Sequence, residues 1–284
     1  MISKFKMFDF TKNENRKYVN DFFFYLLKKV NDEIILRHIN NLNFDQIFTK
    51  SDKNDYVTIY DKKAEEFIIK EINRKFVSIK IIGEETTFQK KIDMSIIGDD
   101  YYFTIDPIDG TKNYIKKNEN FCTMVSLIFK KKPTACFIYY PLIKKYISSF
   151  KNFDSKILDL NTNEICTLKI NKDLINFGTG GTKGIPEISR KIILENFNSN
   201  FRRYFIGSAG VETLMLANNE VDFIFHGRVT PWDHSPLSLI IREAGGEVLM
   251  FNNASTFNVF SEGPILASKN IQHWNYVKSK LNVI

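Results

Sequence analysis

Asp106-Pro107-Ile108-Asp109-Gly110-Thr111 is the stretch from which the fold can be read. Two carboxylates stand just after the apolar run Tyr101-Tyr102-Phe103-Thr104-Ile105, which predicts a buried strand. Pro107 and Gly110 are expected to stop that strand and turn the chain. Acids at a strand end, followed by Gly-Thr at the first turn of a helix, set oxygen ligands beside free backbone N–H groups. Hard divalent cations such as Mg2+ take such oxygens and complete their shell with phosphate and water. Gly110 and Thr111 can then receive the phosphate. Taken alone, the same residues also describe a capped turn in which Asp106 and Asp109 bond local N–H groups.

Two more acidic clusters lie further out. The strand-like run 77–82 ends in Gly83-Glu84-Glu85, and Trp232-Asp233-His234 opens an apolar, helix-like segment. Acids at strand ends and helix starts, spread along the chain, suit a site assembled by folding. In their order and separation, Gly83-Glu84-Glu85, Asp106-Pro107-Ile108-Asp109-Gly110-Thr111 and Pro231-Trp232-Asp233 resemble the three signatures of the inositol monophosphatase family. Residues 50–61 resemble the segment before that family's second helix, and the match runs from about residue 13 to the C-terminus.

The resemblance implies a phosphate monoester hydrolase that uses metal-activated water on a small phosphorylated metabolite. It implies two or three Mg2+ ions. Glu84, Asp106 and the Ile108 carbonyl would hold the first, and Asp106, Asp109 and Asp233 the second, with a third near Glu84. Ions about 4 Å apart clamp the attacking and leaving oxygens of an in-line displacement. Glu84 and the Thr111 hydroxyl would orient the water, Gly110 and Thr111 would bind phosphate, and Glu85 would orient the ligands. Inhibition by Li+ and a homodimer are implied as well. The family's substrate contacts fall on Asp109, Thr182 in the Gly-rich loop, Ala209 and His226. His226 stands where family members acting on inositol phosphates carry a glutamate, and a neutral imidazole cannot accept two hydroxyl bonds as a carboxylate can. His226→Glu is thus expected to restore an acceptor for a polyol. Histidinol phosphate, a sugar phosphate and 3'-phosphoadenosine 5'-phosphate stay open, as does a non-enzymatic homologue that binds a phosphorylated ligand.

The remaining elements follow from periodicity and punctuation. Apolar residues recur at Tyr18, Phe22, Leu26, Val30, Ile34 and Ile35, which predicts a long helix over 14–37. Residues 44–50 read as a short strand, and Thr58 as the cap of a helix over 59–75 with Ala64, Phe67, Ile68 and Ile72 inward. Runs at 121–129, 134–140 and 145–150 read as hairpin strands. Residues 151–170 are polar and read as an irregular junction. Beyond them, strands over 174–177, 201–206, 221–225 and 247–250 alternate with helices over 187–195, 211–217, 236–244 and 270–281, and 178–184 reads as a loop. Such alternation argues for an α/β layer. The expected fold is α+β / α/β, a layered αβαβα sandwich of the inositol monophosphatase / fructose-1,6-bisphosphatase type. Residues 1–160 would carry helices and an antiparallel sheet with most metal ligands. Residues 161–284 would carry Asp233 and the substrate-side loops.

Composition narrows the function classes. The formal net charge is +7 over 284 residues, but the lysines come in short groups such as Lys116-Lys117 and Lys130-Lys131-Lys132. They read as a solvated surface, so no nucleic-acid partner is expected. The Gly-rich loop at 178–184 lacks the order of either a P-loop or a dinucleotide fingerprint. Cys122, Cys136 and Cys166 form no Cys-x-x-Cys pair and are expected to be reduced thiols. With no apolar h-region and no long apolar run, a cytoplasmic protein without a membrane partner is expected. His38 and His273 are expected at the surface. Trp232 is expected to pack, and His234 to be a plain helix-start residue or a general acid.

Overall fold

The computed structural model describes residues 8–50, 55–90, 100–171, 173 and 175–281. Ser51 to Asn54, inside the stretch matched at 50–61, and Leu174, inside the strand expected at 174–177, lie outside the described residues. Helix α1 (Asn13–Val30) runs on through a π turn (Asn31–Ile35) and a closing α turn (Leu36–His38). Its inner face is Val19, Phe23, Leu26, Leu27 and Val30, while Tyr18 is 46% exposed. Leu26, Val30 and Ile35 lie on the inner face as expected, while Tyr18 and Phe22 give way to Val19 and Phe23. Residues 44–46, expected as strand, form a 3-10 turn that Asn43 and Gln46 close with a capping box. Strands β1 (Ile47–Thr49) and β2 (Tyr56–Thr58) pair antiparallel. Thr58 caps α2 (Ile59–Lys75) by accepting from the Tyr60 and Asp61 N–H groups.

After β3 (Lys80–Gly83) and α3 (Glu84–Lys90), the chain enters β4 (Tyr102–Asp109). A short α4 (Thr111–Ile115) follows, then β5 (Cys122–Phe129), β6 (Lys132–Tyr140), β7 (Lys145–Phe150), β8 (Phe153–Asp159) and β9 (Ile165–Thr167). These strands pair in chain order, β3 with β4 parallel and the others antiparallel. Two expectations are corrected. Pro107 does not end its strand, because β4 continues to Asp109. Residues 153–167 are not irregular: β8 and β9 extend the sheet at its edge, where solvent on one face tolerates their polar side chains.

The second sheet is built from β10 (Phe177–Gly181), β11 (Arg202–Tyr204), β12 (Phe223–His226), β13 (Glu247–Met250) and β14 (Ile265–Ser268), with helices α5 (Glu187–Asn200), α6 (Ala209–Ala217), α7 (Pro231–Glu243) and α8 (Ile271–Leu281). Its order is β11-β10-β12-β14-β13; the first three strands are parallel and the last two antiparallel to their neighbours. Residues 178–181 of the stretch expected as a loop are thus part of strand β10. The Phe223 ring fills the space where a Cβ on Gly178 would stand.

Three apolar cores join these elements into five layers. The first lies between α1, α2 and one face of the larger sheet, through Phe23, Ile68, Phe103 and Phe137. The second joins the other face to α6 and α7 and then to the smaller sheet, through Met124, Ile138, Leu214, Ile240, Ile224 and Ala267. The third covers the far side with α5 and α8, through Phe197, Phe223 and Trp274. The order is αβαβα. His273, expected at the surface, is buried with Ser268 Oγ 2.7 Å from its Nδ1, and His38 stacks on Tyr60. Among the described residues no helix is long and apolar enough to cross a membrane.

Candidate active site

A regular strand sends residues three apart to opposite faces. Between Asp106 and Asp109, β4 gains one residue on its partner: Asp106 pairs with Met124 and Asp109 with Cys122. This bulge turns both carboxylates to one side. The Asp106 Oδ1 accepts from the Ile108 N–H at 3.0 Å, and the Pro107 carbonyl accepts from Thr123 Oγ1 at 2.8 Å. Asp233 arrives from the first turn of α7, and oxygens of Asp106, Asp109 and Asp233 lie within 4.8 Å of one another.

The other groups are set by neighbouring elements. Gly110, at φ +91°, turns the chain into α4, where a side chain would meet the Asn120 carbonyl. Thr111 Oγ1 then lies 3.0 Å from the Ile108 carbonyl and 3.1 Å from Asp61 Oδ1. The other Asp61 oxygen accepts from Thr58 N–H and Oγ1, so one carboxylate both starts α2 and fixes the Thr111 hydroxyl. Asp109 is held by the first turn of α6: Ser208 Oγ donates at 2.5 Å, Gly210 N–H at 2.7 Å and Ala209 N–H at 3.1 Å. Glu65 accepts from the Glu85 and Thr86 N–H groups at the start of α3, which aims Glu84 at the cavity. Lys50 Nζ sits 2.6 Å from Glu84 Oε1 and 2.7 Å from Glu85 Oε1.

The electrostatics record crowded like charges. Burial, then the charges of Glu84 and Asp233, push Asp106 well above the usual carboxylate range. Burial and Asp233 bring Asp109 up to about 7, against the pull of its hydrogen bonds. Burial and Glu84 also raise Asp233. Burial and Glu84 bring Glu85 up to about 8, and burial brings Asp61 to about 6. Among the described residues no lysine or arginine pairs with Asp106, Asp109 or Asp233. Three carboxylates without a lysine or arginine partner among the described residues, Asp106 and Asp109 buried and Asp233 half-buried, share one small volume and match the donor set of a hard divalent ion.

These groups open into a cavity of about 300 Å3. Glu84, Asp106, Ile108, Asp109, Gly110, Thr111, Ala209, His226 and Asp233 all line it. Thr182 is not among the lining residues, although Gly181 and Lys183 on either side of it are. Glu85 lies behind Lys50 and does not line the cavity. Trp232 and His234 line it, and His234 is buried. Sequence reasoning left Lys50 and Asp61 without roles and passed over Glu65, Ser208 and Glu212. Glu212 lines the cavity at 2% side-chain exposure and is 2.5 Å from His226 Nε2. Its one signal is a lone acid in the otherwise uncharged run 209–217.

Comparison with known proteins completes the picture. The model of the inositol monophosphatase family matches residues 19–281. A Nus factor SuhB of Vibrio cholerae is 30% identical over 227 residues, covering 78% of this chain and 80% of the relative. An inositol monophosphatase of Dictyostelium discoideum is 29% identical over 200 residues, covering 69% and 72%. A solved IMPase/NADP phosphatase complexed with Mg2+ and phosphate superposes at a TM-score of 0.79 with 16% identity, over 95% of this chain and 97% of that one; that likeness is one of fold.

Proposed function

The chain belongs to the inositol monophosphatase family, and from that premise we propose that it is a Mg2+-dependent phosphate monoester hydrolase acting on a small phosphorylated metabolite. The observation that carries this reading is the meeting of Asp106, Asp109 and Asp233 within 4.8 Å, the first two buried and the third half-buried, with no lysine or arginine partner among the described residues. Asp106, Asp109, Asp233, Glu84 and the Ile108 carbonyl would hold the ions. Bound there, Mg2+ neutralises phosphate charge and makes water acidic enough to attack at neutral pH.

The chain's own residues supply positioning. Asp61 and the Ile108 carbonyl fix Thr111 Oγ1 at the start of α4. Gly110 and Thr111 line the cavity beside the acids, where a phosphate would rest. Glu84, next to the Glu85 N–H that Glu65 anchors, faces the same space and would orient the attacking water. Ser208, Ala209 and Gly210 keep Asp109 from swinging away. The Ala209 amide is committed to Asp109, so a substrate would meet Ala209 through other atoms.

The test is phosphate release from a panel of phosphate esters, with Mg2+ and with EDTA. Asp106→Asn is expected to lower the rate by at least a hundredfold while circular dichroism shows an intact fold. Undiminished hydrolysis in that variant would remove the site assignment. Phosphate binding by the wild type without turnover would leave a non-enzymatic ligand-binding protein.

A further inference from the structure

The wall that carries His226 holds a buried hydrogen-bond chain to which the phosphatase reading gives no task. Thr179 Oγ1 donates to Glu212 Oε1 at 3.1 Å, and Glu212 Oε2 lies 2.5 Å from His226 Nε2. His226 Nδ1 lies 2.9 Å from His234 Nε2, and the Thr230 N–H donates to His234 Nδ1 at 3.0 Å. The side chain of Glu212 is 2% exposed and that of His226 15%, and both line the cavity.

Counting protons closes this chain. A backbone N–H can only donate, so His234 Nδ1 accepts from Thr230, and a neutral His234 carries its proton on Nε2. That proton goes to His226 Nδ1, and His226 donates from Nε2 to Glu212. Both nitrogens of His226 are thus spent inside the protein. What its ring offers the cavity is carbon. Phe205, 73% exposed, adds an apolar ring to the lining.

We propose that Glu212 is a positioning residue that sets substrate selectivity. By holding His226 shut, it leaves the His226 ring without a free hydrogen-bonding nitrogen, so the site favours phosphate esters of flat, hydroxyl-poor alcohols over esters of polyols. A polyol hydroxyl set against that ring gives up water without gaining a partner from it, which costs on the order of ten- to a hundredfold in specificity. The inference rests on the phosphatase reading. It also changes what His226→Glu would do, because that substitution sets a second carboxylate against Glu212.

The test compares 4-nitrophenyl phosphate with inositol 1-phosphate in the presence of Mg2+. Glu212→Ala frees His226 Nε2 for a ligand hydroxyl. KM for the inositol ester should fall about tenfold, while KM for the aryl ester and both kcat values change less than about threefold. Glu212→Gln, which keeps an acceptor for Nε2–H, should behave as the wild type. A side-chain 1H–15N correlation on the wild type needs no variant: the His226 Nε2–H should be a downfield, slowly exchanging proton, lost in Glu212→Ala and kept in Glu212→Gln. An equal change on both esters in Glu212→Ala, or a fast-exchanging His226 Nε2–H in the wild type, overturns the proposal. Failure of the wild type to hydrolyse either ester, with the slow proton present, overturns the phosphatase reading and with it the selectivity.

Discussion

At the scale of single residues, Asp61 has most to explain. One oxygen closes the capping box at Thr58 and the other holds the Thr111 hydroxyl. An amide has one acceptor oxygen, so Asp61→Asn keeps an acceptor for Thr58 but can meet Thr111 Oγ1 only as a donor and no longer accepts from it. The expected outcome is a loss of about 1 kcal/mol in stability, as for other lost caps, with kcat at least tenfold lower. A urea melt and initial rates check it, and an unchanged kcat would mean that Thr111 needs no such anchor. The acids of the three sequence motifs were legible because they punctuate strands and helix starts. Glu65 and Glu212 were not. A buried acid inside a helix leaves no periodic trace, and its partners, the Thr86 N–H or the His226 ring, are joined to it only by the fold.

At the scale of elements, local propensity explains what was readable. Thr58 announced α2, and Lys130-Lys131 announced a hairpin, where both residues take φ above zero. What could not be read were strands made of unsuitable residues. β10 is Phe-Gly-Thr-Gly-Gly, yet the Phe225 backbone and the Phe223 ring lie so close that only glycine fits at 180 and 178. β4 carries a proline in a fully buried strand and tolerates it at the bulge. Gly83 makes the same kind of demand: a Cβ there would stand 2.2 Å from Glu65 Cδ. Gly83→Ala should therefore displace the Glu65 carboxylate from the start of α3. It is expected to cost about 1–3 kcal/mol, typical of overpacking, and to weaken Mg2+ binding by turning Glu84. Denaturant unfolding and calorimetric Mg2+ titration check both; unaltered Mg2+ affinity would show that Glu65 does not position Glu84.

At the scale of the whole molecule, the layers bring like charges together. In the metal-free protein Asp109 is held up to about 7 and Glu85 to about 8, above their ordinary values of 3.8 and 4.5. Raised carboxyl values favour the folded state in its protonated form. That stabilisation is present in full below about pH 4 and is lost as pH rises through about 7 to 8. The metal-free protein should thus lose stability over this window, and Mg2+ should restore more of it at pH 8 than at pH 5. At a hundredfold excess over Kd, binding adds about 2.7 kcal/mol, or roughly 5–10 °C for a chain of this size. Thermal melts with EDTA and with Mg2+ at the two pH values decide it; an equal shift at both would show that these carboxyls are not protonated in the metal-free fold.

The five-layer order has a consequence for the protein as it is made. Asp106 and Asp109 leave the ribosome long before Asp233, and the helix that delivers Asp233 seats only against both sheets at once. The nascent chain therefore carries Glu84, Asp106 and Asp109 without Asp233 while more than a hundred further residues are made. The three-acid cluster cannot close until α7 is in hand, so it is among the last features to form. Uptake of the ion in a growing or refolding chain would mark the moment at which the middle layer closes.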